Sequence, residues 1–338
     1  MPNNCPVVFV HGLLGFGPKE LGPLNYWGSA FKVYSKLRRH EASVGPLSSA
    51  HDRACELAAQ IAGTVVDYGE DHAQIAGHQR YGYDFSDRGF AEDWSEQNPV
   101  HLVGHSLGSP TVRCLQHLLA IDYWDWGSNE RWVASISTIS GASNGSTLVY
   151  FFGIDEKTGL IRPDSGIEPV LRMIEVFTAA TGGILDAIYD FDLDHWGFKR
   201  RDDETFAGYL ARVGESDFFW GKDNAAYSLS LQGALADNAV WKTYPETSYF
   251  SYLTSQTDRG WFTGRHYPNL LMNPAALALA TYIGHKEFHA PLFPSTDLLH
   301  LPGGKMMARS RHFRSAILTL VAFTSRVQIS RRIHPLYR

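Results

Sequence analysis

Cysteine is scarce: Cys5, Cys55 and Cys114 are the only three in 338 residues. That excludes a disulfide framework and leaves the redox compartment open. Long apolar runs are missing too. The longest, near 275–280 and 320–323, fall far short of the ~20 residues that span a bilayer. The opening Met-Pro-Asn-Asn-Cys-Pro has no basic region followed by an apolar stretch, so no secretory signal is visible as written. Internal repeats and low-complexity tracts are also missing. Acid is lacking in one place only. Residues 298–338 carry eight Lys and Arg and no Asp or Glu, which leaves 22 basic against 35 acidic residues elsewhere, a net of −13. An acidic body argues against nucleic-acid binding. With 44% hydrophobic and 19% charged residues, the chain has ample means to bury a core, and disordered and fibrous classes are excluded.

What is present is an alternation of strands and helices. Pro6–Val10, Pro99–Val103, Trp132–Ile139 and Tyr249–Leu253 are β-branched and aromatic runs ended by small or polar residues, the pattern of buried strands. Helical patterns fall at about 27–39, 51–66 and 107–122, the last placing Val112, Leu115, Leu118 and Leu119 on one face. Such alternation predicts βαβ units, an α/β fold with a mostly parallel sheet flanked by helices. From about 147 to 240 the chain turns rich in Phe, Tyr, Trp and Asp, with an apolar helical run near Val170–Leu185. It reads as an insertion packed on the sheet.

Gly104-His105-Ser106-Leu107-Gly108 is a G-x-S-x-G placed where a predicted strand runs into a predicted helix. A sharp strand-to-helix turn exposes a serine hydroxyl in a strained conformation and sets it at a helix N-terminus, where N–H groups stabilise developing negative charge. Ser106 is therefore the candidate nucleophile; a plain Gly-flanked loop serine is the rival reading. His11-Gly12-Leu13-Leu14-Gly15 follows the first strand, where such a fold builds the other half of an oxyanion hole. The backbone N–H groups of Leu13 and Leu107 would then bind the oxyanion. Alone, a His-Gly at a strand end is as readily structural.

At this point a resemblance takes hold. Pro6–Gly17, Val44–Ser49, Asp52–Glu56, Val66–Gly69, Tyr189–Phe191, Leu193–Gly197 and Gly264–Asn273 look like the zinc-containing thermostable bacterial lipases and their staphylococcal relatives, over about residues 6–285. The resemblance implies an α/β-hydrolase fold with a large helical lid, hydrolysis of triacylglycerols and other carboxylic esters at a lipid interface, and secretion. One departure is the elbow, where family members often carry Ala-His-Ser-Gln-Gly. Leu107 would act through its backbone, so catalysis does not depend on that change. A water-soluble enzyme acting on lipid must hide an apolar cleft until it meets an interface, and the stretch at about 150–190 suits a lid. A plain buried helix pair would read the same way.

The resemblance also implies a metal site. Asp52, His72, His78 and Asp223 match the family's four zinc ligands. Two imidazoles and two carboxylates complete a tetrahedral shell without an open position, which makes the metal structural. By themselves the same residues read as a capping carboxylate and surface histidines. Trp196 and Trp220 are expected nearby, as core rather than as cofactor contacts. The backbone carbonyl of Leu271 is the one surviving candidate for the family's calcium loop, which makes calcium doubtful here.

A serine nucleophile needs a base, and the base an orienting carboxylate. The family's Asn-Asp-Gly segment, expected some thirty residues after Tyr267–Asn273, and its later Asp-His pair are both missing. His300, His312 and His334 remain, none in a family context. The tail suggests a reason. Read one base earlier, the codons across Met306, Met307 and Ala308 must give Asp-Gly, and the Lys305–Met306 overlap gives Asn if lysine is AAA. Residues 293–338 thus read as a frame-shifted, poorly ordered tail after an α/β-hydrolase domain at 1–292. As written, the triad is incomplete. The alternatives are an esterase for short soluble acyl chains and an impaired, non-catalytic lipid-binding or regulatory module.

Overall fold

The computed structural model describes residues 5–286 apart from 19, 21–23, 29–36, 92, 166–167, 169–170, 173–190, 202, 253, 255–256, 264, 270–271 and 273–276. Five strands, β1 (Val7–Val10), β2 (Arg39–Ala42), β5 (Val100–His105), β6 (Val133–Ile139) and β7 (Ser248–Tyr252), form one parallel sheet in the order β2-β1-β5-β6-β7. Val8 pairs with Leu102 and Leu102 with Ile136. All three are buried, as continuous apolar strands in a sheet covered on its faces should be. Two small antiparallel pairs lie outside it: β3 (Val65–Asp67) with β4 (Tyr81–Asp84), and β8 (Thr257–Arg259) with β9 (His266–Pro268).

Helix α1 (Ala50–Ala62) begins where the Ser49 hydroxyl accepts the Asp52 N–H and ends at Gly63, left-handed at φ 72°. The shorter α2 (Glu70–Ala76) and the crossover helix α3 (Gly108–Ala120) follow. Leu57 and Ile61 of α1 and Val112, Leu115 and Leu119 of α3 close over Val8, Val100 and Leu102 as one core. A second core lies at the C-terminal ends of the strands. There Leu13 and Leu107 are packed under Val149, Phe191, Tyr209 and Phe218 of the insertion. Within that insertion the described residues include α4 (Phe206–Gly214) and α5 (Leu231–Val240). A final helix, α6 (Leu277–His285), precedes the end of the described residues. No described helix is long and apolar enough to cross a membrane.

The sequence reading needs three corrections. The run at Tyr249–Leu253, read as a buried strand, gives β7, in which four of the five residues are exposed. The helix expected at 51–66 stops at Ala62, because Gly63 caps it, and Val65–Asp67 is a strand. The helix expected at 27–39 falls mostly on residues outside the described set, but its last residue, Arg39, opens strand β2. That strand reads Arg-His-Glu-Ala, with only Ala42 buried, so no apolar alternation marks it. Most of the apolar run at 170–185 and the whole tail at 293–338 lie outside the described residues.

Candidate functional site

Ser106 sits directly after β5 with φ 52°, a conformation that costs a non-glycine residue on the order of 1–3 kcal/mol. The surroundings hold it there. Its N–H donates to Ile139 O at 3.1 Å, and its carbonyl accepts from Ser109 N at 3.1 Å and Ala142 N at 3.2 Å. The glycines of the motif are required by contact. A Cβ on Gly104 would lie 2.4 Å from Gly108 O, and one on Gly108 would lie 2.2 Å from Val10 O. The turn is therefore pressed against the end of β1.

The loop after β1 completes the pocket around this serine. Gly12 N–H donates to the Tyr26 hydroxyl at 3.0 Å, Leu14 N–H to Pro46 O at 3.1 Å and Gly15 N–H to Gly12 O at 3.0 Å. That leaves Leu13. Among the described residues neither the Leu13 nor the Leu107 N–H has an acceptor, which is the state expected of donors reserved for a ligand. An apolar cleft opens beside Leu13, lined also by Leu47, Val149, Phe152, Phe218 and Leu229.

Three buried side chains that the sequence did not single out for a role hold this loop. Arg53, on α1 and wholly buried, donates to His11 O at 2.5 Å, Gly45 O at 2.6 Å and Thr111 Oγ1 at 3.0 Å. His11 donates from Nδ1 to Gly12 O and accepts the Val44 N–H at Nε2. Burial and the neighbouring Arg53 charge pull its pKa down to about 3, so it is neutral. Tyr26, having accepted from Gly12, gives its own proton to His105 Nδ1 at 2.5 Å; burial lowers the pKa of His105 to about 4. The advance signals were the Asp52–Glu56 run, which contains Arg53, and the His11–Gly15 motif; nothing pointed to Tyr26.

Ser106 Oγ has no hydrogen-bonding histidine or carboxylate among the described residues. His300, His312 and His334 lie outside that set, as does Leu271, the candidate calcium ligand.

A second constellation includes Asp52 of α1. Ligand atoms of Asp52, His72, His78 and Asp223 all fall within 4.8 Å of one another. His72 Nε2 is 3.0 Å from Asp52 Oδ1 and 3.3 Å from Asp223 Oδ2. His78 Nδ1 donates to Gln79 O at 2.8 Å, which turns Nε2 toward the carboxylates, 3.2 Å from Asp223 Oδ2. That Nε2 is buried and lacks hydrogen-bond geometry to any group. An imidazole nitrogen facing a carboxylate takes either a proton or a metal cation between them, and an N₂O₂ donor set is one that zinc accepts. These residues fit a metal ion.

The electrostatics agree. Burial works against the charge on Asp52, but donors from His195, His51 and His72 hold its pKa well below the usual carboxylate range. Burial likewise opposes the His72 cation, yet Asp223 and Asp52 lift its pKa to about 10. His195 was missed as a participant. It is buried, its Nε2 is 3.1 Å from Asp52 Oδ2, and Tyr68 stacks on it at 4.4 Å. It thereby fixes the carboxylate oxygen that His72 does not touch. Trp196 lies against His78 with ring centroids 4.8 Å apart, whereas Trp220 packs on Phe219.

Against known proteins, the family described as lipase-like, C-terminal domain matches residues 3–289. A lipase of Staphylococcus hyicus is 33% identical over 308 residues, covering 83% of this chain and 45% of that protein. Lipase 2 of Staphylococcus aureus is 35% identical over 274 residues, covering 74% and 38%. The solved structure of EstA from Clostridium botulinum superposes with a TM-score of 0.72 at 33% identity, covering 86% of this chain and 69% of that one. The chain spans less than half the length of these curated relatives.

Proposed function

The chain belongs to the lipase-like, C-terminal domain family, and from that premise we propose that it is a serine hydrolase of carboxylic esters, of the triacylglycerol lipase type. One observation carries the reading: Ser106 is held at φ 52° between two unoccupied backbone donors, Leu13 and Leu107 N–H. In the reaction Ser106 Oγ attacks the ester carbonyl and its proton passes to a base. The oxyanion is held by the two N–H groups, the alcohol leaves, and water releases the acid from the serine ester. The apolar cleft beside Leu13 takes the acyl chain. Asp52, His72, His78 and Asp223 would hold a structural zinc ion, with no open position for substrate. Its part would be to tie α1 to the insertion.

The base and its orienting carboxylate are not among the described residues. The missing Asn-Asp-Gly and Asp-His segments favour a second reading, a lipase-like protein that binds lipid without turnover, and make the frame at residues 293–303 decisive. Reading codons 303–308 of the gene tests the tail, since the frame-shift reading requires Asn-Asp-Gly one base back. For the protein, a fluorophosphonate should label Ser106, seen by intact mass and lost in Ser106→Ala. Short- and long-chain nitrophenyl esters should be cleaved, and their ratio separates lipase from esterase. Absence of both labelling and turnover would leave the binding module.

A further inference from the structure

Two large aromatic side chains stand almost fully in water. Trp261 is 95% exposed and Phe262 98%, an edge-to-face pair with ring centroids 6.3 Å apart. Single exposed apolar residues are ordinary on protein surfaces. An adjacent Trp-Phe pair at the very tip of a hairpin is a concentrated apolar feature of the kind that marks an interaction site. The pair occupies the turn between β8 and β9, whose register is Thr257 with Pro268, Asp258 with Tyr267 and Arg259 with His266.

The mount is firm. Gly260 N–H donates to Arg265 O at 2.8 Å, and Thr263 Oγ1 lies 3.1 Å from the Tyr267 hydroxyl. At the base, buried His266 meets Thr257 Oγ1 at 3.0 Å. Gly284 of α6 approaches so closely that a Cβ there would lie 2.1 Å from His266 O. The fold thus presents these rings outward on a braced support.

Placement and charge point to the partner. The hairpin follows the C-terminal end of β7, whose Tyr252 O accepts the Ser140 N–H. In a parallel sheet this is the end at which β5 delivers Ser106. Across 257–268, Arg259 and Arg265 are exposed. The one acid of the hairpin, Asp258, accepts from Asn269 Nδ2 at 2.9 Å. Two exposed arginines flanking the aromatic pair in sequence, against one acid, leave the hairpin net positive on an otherwise acidic body. That matches a lipid headgroup layer, where Trp and Phe enter the interface and Arg meets phosphate.

We infer that the β8–β9 hairpin is an interfacial anchor: Trp261 and Phe262 insert into a lipid surface, Arg259 and Arg265 face its phosphates, and the Ser106 end of the sheet is thereby turned toward lipid. The anchor takes its purpose from the ester-hydrolase reading, but its test does not pass through catalysis. The full chain is sedimented with phosphatidylcholine vesicles, with and without phosphatidylglycerol. The double variant Trp261→Ala/Phe262→Ala should lose vesicle partitioning by about 50-fold or more, from the transfer of two aromatic side chains. Trp261→Phe should retain most of it. Arg259→Gln/Arg265→Gln should weaken binding several-fold on the anionic vesicles only, and chiefly at low salt.

The anchor is overturned if the wild-type chain fails to sediment with vesicles, or if the double variant partitions as well as wild type. It is also overturned if the double variant changes the oligomeric state or the melting temperature, because a second copy or the chain's own residues would then cover the tip. If the wild-type chain cleaves no ester while vesicle binding still depends on the pair, the hydrolase reading falls and the anchor stands.

Discussion

Arg53→Met isolates the part of the fold that shapes the proposed oxyanion loop. The guanidinium is fully buried and supplies three hydrogen bonds, to His11 O, Gly45 O and Thr111 Oγ1. Methionine keeps much of the volume and removes all three donors. Each buried acceptor left without a partner costs about 1–3 kcal/mol, so the three together cost about 3–9 kcal/mol. That is a large share of a typical domain's ~5–15 kcal/mol. His11 O lies on the segment that carries Leu13, and Gly45 precedes Pro46, whose carbonyl holds the Leu14 N–H, so the loss falls on donor placement as well as on stability. Arg53→Lys keeps the charge but loses the planar fork, and should lie between wild type and Met. Urea unfolding followed by circular dichroism gives the stability change, and the rate of phosphonate labelling at Ser106 gives the effect on the loop. A Met variant within about 1 kcal/mol of wild type, labelled at the same rate, would refute the assignment.

Three further outcomes are expected. Purified protein should contain about one zinc per chain. With zinc a thousandfold above its dissociation constant, a chelator should lower Tm by about 6 °C, whereas His72→Ala should melt lower from the start and ignore the chelator. Gly108→Ala drives a Cβ to 2.2 Å from Val10 O, a backbone atom that cannot turn aside, and should destabilise by on the order of 3 kcal/mol in thermal or urea melts. Burial lifts the Glu56 carboxyl from 4.5 to about 7, so the folded state binds the extra proton between those values. Its contribution, about 3 kcal/mol, is complete below pH 4.5 and lost as pH rises through 7. Glu56→Gln should flatten that slope in unfolding free energies compared from pH 4.5 to 8.

The strands β1, β5 and β6 were legible because parallel strands with buried faces are rich in β-branched residues, whereas β7 was read from its aromatic residues although four of its five residues are exposed. Strand β2 was not, since Arg39, His40 and Glu41 pair through their backbones with β1 while only Ala42 is buried. The serine turn was readable because its glycines answer to backbone contacts two residues away on either side. The candidate metal cluster came from the family resemblance alone. Its members stand far apart in sequence, and nothing local to Asp52 or Asp223 announces that they meet. Arg53, Tyr26 and His195 were missed for a related reason. Each acts through long-range contacts to backbone carbonyls, an N–H or a carboxylate, and such partners leave no spacing to read.

The cluster at Asp52 has a bearing on the scarcity of thiols. His72 and Asp223 lie 151 residues apart, and all three cysteines are free. An ion shared by these residues would act as a cross-link over a very long loop, joining the sheet's first helix to the insertion that roofs the cleft. Unlike a disulfide, it would be indifferent to glutathione, oxygen and compartment. Its hold would follow the supply of free metal, so the same chain would be braced in a reducing or an oxidising medium and loosened by a chelating one.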